Sequence, residues 1–275
     1  MGMPFDRAAA ALKAARGIVI TAGAGMGVDS GLPDFRGNQG FWQAYPFYER
    51  IGLSFIDAAN PEHFRHDPLF GWGFYGHRLH LYRDTVPHAG FTLLRNWIEM
   101  FNLDWFVVTS NVDGQFQKAG FTEERILEVH GSIHHLQCLE PCGMNIWPNR
   151  EEVSVDIATM RSRGIPKCIH CRGVARPNIL MFGDYSWVGL RTEIQEQNFQ
   201  EFLHRNEGRP LVVIECGAGT SLPTIRRLGE RLAGNRETSL IRINPREPQV
   251  YTDGISLPFG AYEGLNGINS VLHLS

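Results

Sequence analysis

The chain of 275 residues is long enough for one large domain, or for a large domain with a smaller insert. It has 26 Lys and Arg against 29 Asp and Glu, a net charge of −3, which disfavours a nucleic-acid binder driven by counterion release. No apolar run approaches the roughly 18 residues that span a bilayer, and the first residues lack the apolar core of a secretory signal. We therefore expect a cytoplasmic protein that contacts neither membranes nor nucleic acid directly.

An Ala-rich stretch at the start predicts a first helix. Short apolar runs then predict buried strands at 17–21, 104–110, 126–131, 210–221 and 237–244, with helical stretches between several of them. This alternation is typical of an α/β fold, a mostly parallel Rossmann-like sheet with helices on both faces.

Two segments interrupt this alternation. Residues 38–85 are rich in aromatic residues and have no strand signal, and residues 132–176 hold four paired cysteines. We predict that these two segments form a smaller inserted domain, a helical insert with a zinc-binding module. The Rossmann-like domain would then comprise residues 1–37, 86–131 and 177–275.

Three glycines, Gly23, Gly25 and Gly27, follow the first predicted strand. Such a turn before a helix lets backbone N–H groups approach a diphosphate. The spacing G-x-G-x-G differs from the dehydrogenase pattern G-x-G-x-x-G, and the expected acidic residue about 20 positions later is missing. A hydride-transferring dehydrogenase therefore fits poorly, and the glycines alone leave open a tight turn without a ligand.

Polar residues follow the next two strands. Ser110, Asn111 and Asp113 end the second, at the edge where open α/β sheets bind ligands, although Asn and Asp could equally cap the following helix. His130 follows the third strand, where it could be a structural hydrogen-bonding residue or a base acting near neutral pH.

Four of the five cysteines form two close pairs, Cys138-x-x-x-Cys142 and Cys168-x-x-Cys171. Four thiolates suit a tetrahedral, structural Zn²⁺ without an open position for substrate, and the alternative is four free thiols. The fifth, Cys216, lies in a predicted strand, where we expect a small apolar filler.

Tyr75 and Arg78 lie three residues apart, on one face of a predicted helix. A guanidinium fork with a phenol donor could hold a carboxylate, but such pairs also occur on amphipathic helices that bind nothing.

The stretch GAGMGVDSGLPDFRG at 23–37 resembles the opening signature of the sirtuins, the NAD-dependent protein deacylases. TSNVD at 109–113, VHGS at 129–132, the cysteine pairs, RPNILMFGD at 176–184 and GAGTS at 217–221 resemble further sirtuin segments. The resemblance runs in the family's order from residue 18 to about residue 245, and this ordered set is far more specific than any one motif.

The resemblance implies a protein-lysine deacylase that consumes NAD and releases nicotinamide and O-acyl-ADP-ribose, with His130 as general base and Asn111 beside it. It implies that Met181, Phe182 and Gly183 pair with an extended peptide substrate that carries an acylated lysine, and that the four paired cysteines hold zinc. It implies an NAD site made of Ala22, Gly23, Ala24, Gly25, Asp34, Phe35, Arg36, Ser110, Asn111, Asp113, Gly219, Thr220, Ser221 and Asn244.

Tyr75 and Arg78 fall where the desuccinylating class III sirtuins keep their acid-recognising pair, and Ala59 falls where that subgroup has a small residue that widens the pocket. Removal of succinyl or malonyl groups is therefore an equal alternative to plain deacetylation. Gly27 and Ser110 replace the serine and glutamine usual in the family, and Asp184 replaces a glutamate.

The changes at Gly27 and Ser110 keep open an ADP-ribosyltransferase or NAD glycohydrolase on the same fold. A non-catalytic NAD sensor is a further alternative, against which the retained His130, Asn111 and Asp113 argue. The net charge disfavours a zinc-dependent nucleic-acid module.

Overall fold

The computed structural model describes residues 4–34, 37–251 and 253–273. The helices in these ranges are α1 (Pro4–Ala14), α2 (Gly37–Ala44), α3 (Pro46–Arg50), α4 (Phe55–Ala58), α5 (Glu62–His66), α6 (Pro68–Asp84), α7 (Ala89–Met100), α8 (Gln115–Lys118), α9 (Leu190–Arg205), α10 (Thr224–Ala233) and α11 (Ala261–His273). Single 3₁₀ turns lie at Ala24–Met26, Val28–Ser30 and Glu123–Arg125.

The strands are β1 (Gly17–Ala22), β2 (Asp104–Thr109), β3 (Ile126–Glu128), β4 (Gly131–Cys138), β5 (Ile146–Pro148), β6 (Val155–Asp156), β7 (Arg161–Ser162), β8 (Ala175–Ile179), β9 (Leu211–Cys216), β10 (Thr238–Ile243) and β11 (Ile255–Leu257).

The main sheet has six strands in the order β11-β10-β9-β1-β2-β3, and all of its pairings are parallel. From β1 the chain first builds outward to β2 and β3, and later returns to β9 on the other side of β1. Ala22 lies opposite both Thr109 and Cys216, so three strands end side by side. Open α/β sheets bind ligands at such a switch point.

Burial of both faces explains why these strands are continuous apolar runs. Every residue of β1 and β9 is buried. Successive side chains point to opposite faces, so Ile18 and Ile20 pack with α1, α7 and α11, whereas Val19 packs with α9 and α10. The predicted α/β fold is confirmed.

A third apolar cluster joins α2–α6 to the antiparallel sheet β5-β4-β8 and to the β6–β7 hairpin. Its longest element, α6, begins where Asp67 accepts a hydrogen bond from the Phe70 N–H and Pro68 occupies the first turn. As expected, residues 38–85 form helices in the described part. The division into two domains at the stated boundaries stays a prediction.

The predicted strands were too long at their carboxyl ends. The runs at 104–110, 126–131 and 210–221 end as strands at Thr109, Glu128 and Cys216, and polar or glycine turns follow them. The edge strand β11, which is only three residues long, was not predicted from the sequence. None of the described helices is long and apolar enough to cross a membrane.

An ion pair lies within the sheet, between neighbouring strands. Glu215 of β9 and Arg242 of β10 are both fully buried, with 2.5 Å from Nε to Oε1 and 3.1 Å from Nη2 to Oε2. Arg242 also donates to Glu230 of α10 and to the Gln249 carbonyl. One guanidinium therefore ties two strands, a helix and the 246–250 loop together.

We predict that Arg242→Leu lowers the free energy of unfolding by about 3–5 kcal/mol, because it leaves Glu215 buried without its main partner. Urea unfolding followed by circular dichroism measures this change. The double variant Glu215→Leu/Arg242→Leu should lose less than the single variant, since no buried charge is left. A single variant as stable as the wild type would contradict this account.

Candidate active site

Two glycine turns meet backbone to backbone at the ends of β1 and β9. The N–H of Gly23 donates to Cys216 O at 3.0 Å, and that of Gly25 donates to Gly217 O at 3.1 Å. A Cβ on Gly217, whose φ is +63°, would lie 2.3 Å from the Gly25 carbonyl carbon. Only glycine permits so close an approach in the left-handed region.

A cavity of about 550 Å³ opens above these turns. Its lining brings together most of the site residues that the sequence predicted: Gly23, Ala24, Asp34, Tyr75, Arg78, Ser110, Asn111, Asp113, His130, Met181, Phe182, Gly219, Thr220 and Ser221. Of the other predicted cofactor and substrate residues in the described ranges, Ala22, Gly25, Gly183 and Asn244 are not in this lining. Phe35 and Arg36 lie outside the described residues.

Two of the residues outside the lining support the site from behind. Ala22 O accepts hydrogen bonds from Ser110 N and Thr109 Oγ1. Asn244 is fully buried, and its Nδ2 donates to Ala218 O at 2.9 Å while its Oδ1 accepts from the backbone of 246 and 247. Ala22 thus ties the end of β1 to the end of β2, and Asn244 supports the second glycine turn, while their direct contact with a cofactor stays a prediction.

Asn111 and Asp113 serve the local fold and also line the cavity. Asn111 Nδ2 donates to Gly23 O at 3.0 Å, which fixes its amide across the first glycine turn. Asp113 Oδ1 accepts from the Gln115 N–H at 3.0 Å, a local turn just before α8, whose N-cap residue is Gly114 and not Asp113. Burial raises the pKa of the Asp113 carboxyl to about 6.

His130 lies just beyond β3, in the cavity wall. Burial lowers the pKa of its ring below 6.5, although the ring donates a hydrogen bond to the Ser110 carbonyl, which acts in the opposite direction. The imidazole is therefore mostly neutral at pH 7. With one ring nitrogen donating to a carbonyl, the other is free of a proton and can accept one.

Tyr75 and Arg78 are buried in the part of the cavity wall that α6 supplies. The Tyr75 hydroxyl has no hydrogen-bond partner among the residues that the structure describes. The Arg78 guanidinium lies over the rings of Phe74, Tyr75 and Tyr82, at 5.1, 5.6 and 5.3 Å from their centroids. A buried cation and a phenol hydroxyl without a partner in the described residues thus lie together in the cavity wall.

The 180–184 loop is held by a buried carboxylate. Asp184 pairs with Arg176, with Nη1–Oδ2 at 2.8 Å and Nη2–Oδ1 at 2.9 Å, and both side chains are fully buried. Asp184 Oδ2 also accepts from Met181 N, and Phe182 N donates to Ala59 O. Aspartate is long enough to fix this loop.

The four paired cysteines converge at one point, away from the cavity. Their sulfur atoms all lie within 4.8 Å of one another, with 3.6 Å between Cys138 and Cys171 and 3.7 Å between Cys142 and Cys168. Four sulfurs around a tetrahedral Zn²⁺ would lie about 3.8 Å apart. The donors and their spacing fit zinc, whereas Cys216 is a buried residue of β9, as expected.

The cavity also holds residues that the sequence analysis missed. Tyr82 lines it one helical turn after Arg78, a spacing that the helix prediction could have revealed. Glu247 lines it from the 246–250 loop and accepts a hydrogen bond from Thr220 Oγ1 at 2.6 Å. The sequence offers no signal for Glu247, because it lies in an irregular segment after β10.

The sequence model of the Sir2 family matches residues 23–204. The chain belongs to the Sir2 family. A NAD-dependent protein deacylase of Aquifex aeolicus is 32% identical over 233 residues, which are 85% of this chain and 85% of that protein. One of Aeropyrum pernix is 30% identical, covering 85% of this chain and 82% of that protein.

Solved structures show the same fold. A Sir2 homologue in complex with NAD has a TM-score of 0.74 at 22% identity, covering 98% of this chain and 94% of that chain. A mutant Sir2 homologue in complex with ADP-ribose has a TM-score of 0.73 at 24% identity, covering 98% and 97%. These likenesses bear on the fold alone.

We predict that the purified protein holds about one zinc ion per chain, because four converging thiolates make a closed tetrahedral site. Cys171→Ser should lose most of this zinc and lower the melting temperature, as measured by elemental analysis and thermal unfolding. Cys216→Ala, a change of the one cysteine outside the cluster, is the control and should keep its zinc. Full zinc content in Cys171→Ser would contradict the assignment.

Proposed function

We propose that this protein is an NAD-dependent protein-lysine deacylase. One observation carries the proposal: a single cavity joins two glycine turns at a sheet switch point to a neutral His130 and to the buried pocket around Arg78. The relatives named NAD-dependent protein deacylases, of which the chain covers more than four fifths, support it.

When bound, NAD supplies the ribose carbon to which the acyl oxygen of the substrate adds as nicotinamide leaves. The N–H groups of Gly23 and Gly25 are used within the fold, so contacts to the diphosphate would come from Ala24 and from residues 219–221. Asn111, fixed by Gly23 O, keeps its amide oxygen for the ribose side of the site. Neutral His130 would accept a proton from a ribose hydroxyl.

The direct cofactor roles of Ala22, Gly25 and Asn244 are part of this proposal, as are those of Phe35 and Arg36. Met181, Phe182 and Gly183 would pair with the peptide. We also propose a cytoplasmic location, acylated proteins as partners, and a small domain of residues 38–85 and 132–176.

We predict that His130→Ala lowers kcat about 100-fold or more, because the general base is lost. Since burial lowers the His130 pKa, the proton-accepting form prevails at neutral pH, and kcat/KM should fall as pH drops below about 6.5. Asp113, with a pKa of about 6, is also protonated as the pH falls, so its titration contributes to the pH profile.

Nicotinamide release with an acetyl-lysine peptide, followed by mass spectrometry, measures both effects. His66→Ala is the control, since this exposed histidine pairs only at the surface with Glu62. Undiminished turnover in His130→Ala would exclude its role as a base. ADP-ribose formed without any peptide would favour the glycohydrolase or transferase alternative.

The proposal includes an acidic acyl chain, succinyl or malonyl, beside acetyl. A buried guanidinium and the unpartnered Tyr75 hydroxyl lie in the cavity wall, and both could bind the carboxylate at the end of such a chain. Ala59 lines the same cavity with a small side chain, which leaves room for the longer acyl group.

We predict that Arg78→Met lowers kcat/KM for a succinyl-lysine peptide at least tenfold more than for the acetyl-lysine peptide of the same sequence, since only succinyl has a charge to pair. Steady-state kinetics on the two peptides measure the ratio. Equal losses of kcat/KM on the two peptides would indicate that Tyr75 and Arg78 have only a structural role.

A further inference from the structure

Tyr82 is the residue of α6 that holds Arg78 in place. Its hydroxyl accepts hydrogen bonds from Arg78 Nε at 3.0 Å and from Arg78 Nη2 at 2.6 Å. Tyr82 is 5% exposed. It lines the same cavity as Arg78, which lies one helical turn before it on α6. Arg78 is thus bound through two of its nitrogen atoms by one phenol.

The two nitrogens that Tyr82 engages define which side of the guanidinium can meet a ligand. Nε and Nη2 form the lateral edge of the planar group, and the Nη1–Nη2 pair forms its end. Because Tyr82 takes the lateral edge, that edge is closed to a carboxylate ligand. We propose that Tyr82 determines specificity for dicarboxylic acyl chains by fixing the orientation of Arg78, an inference that rests on the proposed deacylase function.

The chemistry of a phenol suits this task better than that of a carboxylate. Burial raises the pKa of Tyr82, so the group stays a neutral phenol. It orients the guanidinium without cancelling the positive charge, which a carboxylate in the same place would do.

The backbone of Tyr82 is fixed by the cofactor side of the cavity. Gln115, which is 1% exposed, donates from Nε2 to Tyr82 O at 3.1 Å, and its own N–H is held by Asp113. Lys118 Nζ donates to Arg83 O and Thr85 O at 2.5 and 2.6 Å. The end of α6 is therefore bound to the segment that follows Asn111. This contact fixes the position of Tyr82, and with it Arg78, relative to the glycine turns.

The experiment compares Tyr82→Phe with the wild type on succinyl- and acetyl-lysine peptides of one sequence, with kcat and KM determined separately. The phenylalanine keeps the ring that packs against Arg78 and removes only the hydroxyl. We expect KM for the succinyl peptide to rise about tenfold, the scale of losing hydrogen bonds to a charged group, with acetyl kinetics changed less than about twofold. Calorimetry of succinyl-peptide binding should show the same loss.

Tyr48→Phe is the matched control. Tyr48 is a fully buried tyrosine of the same aromatic cluster whose hydroxyl has no partner within the described ranges, and it is not in the cavity lining. Loss of the Tyr48 hydroxyl should leave the ratio of succinyl to acetyl KM unchanged. The comparison distinguishes a specific effect of the Tyr82 hydroxyl from the effect of removing any buried tyrosine hydroxyl.

Equal losses on both peptides in Tyr82→Phe, or no change in the ratio, would overturn the inference. A wild-type protein that removes acetyl but never succinyl would overturn the inference and leave the deacylase function intact. A wild-type protein that acts on neither peptide would overturn the proposed function itself.

Discussion

The site depends on the close contact between two turns that only glycine allows. Gly25 and Gly217 approach so closely that a Cβ on either would lie 2.7 Å or less from backbone atoms of the other. This contact locks the end of β1 to the end of β9, on one side of the switch point. The cavity lies directly above it, and Gly23 O, beside the contact, fixes the Asn111 amide.

Burial determines the charge state of the ionisable groups that line the cavity above the two glycine turns. Loss of solvent keeps the His130 ring mostly neutral at pH 7 and raises the pKa of the Asp113 carboxyl to about 6. The same burial would make a lone guanidinium costly, and aromatic faces and the Tyr82 oxygen surround Arg78 instead. The apolar cluster that contains Phe74, Tyr75 and Tyr82 of α6 therefore surrounds the Arg78 guanidinium.

Much of the fold could be predicted, because strands buried on both faces are continuous apolar runs whichever helices cover them. The zinc cluster was equally visible, since two pairs of close cysteines need only one turn each to converge. Contacts between side chains that are far apart in the sequence could not be predicted from such local patterns. Arg176 of β8 binds Asp184 only eight residues later, but Asn244 supports a turn 26 residues away, and its amide hydrogen bonds depend on the register of β9 against β10.

Two of the three departures from the family pattern, at Gly27 and Ser110, have physical explanations in the contacts around the glycine turns. At Gly27 a Cβ would come within 3.1 Å of Leu32 Cδ1, so a larger residue would press on a buried side chain that lines the cavity. Ser110 serves through its backbone, because its N–H donates to Ala22 O and its carbonyl receives the His130 ring. Neither task needs the side chain that is usual at that position. The backbone geometry that carries the proposed chemistry therefore survives both changes, and what they alter is the set of side-chain contacts offered to the ribose.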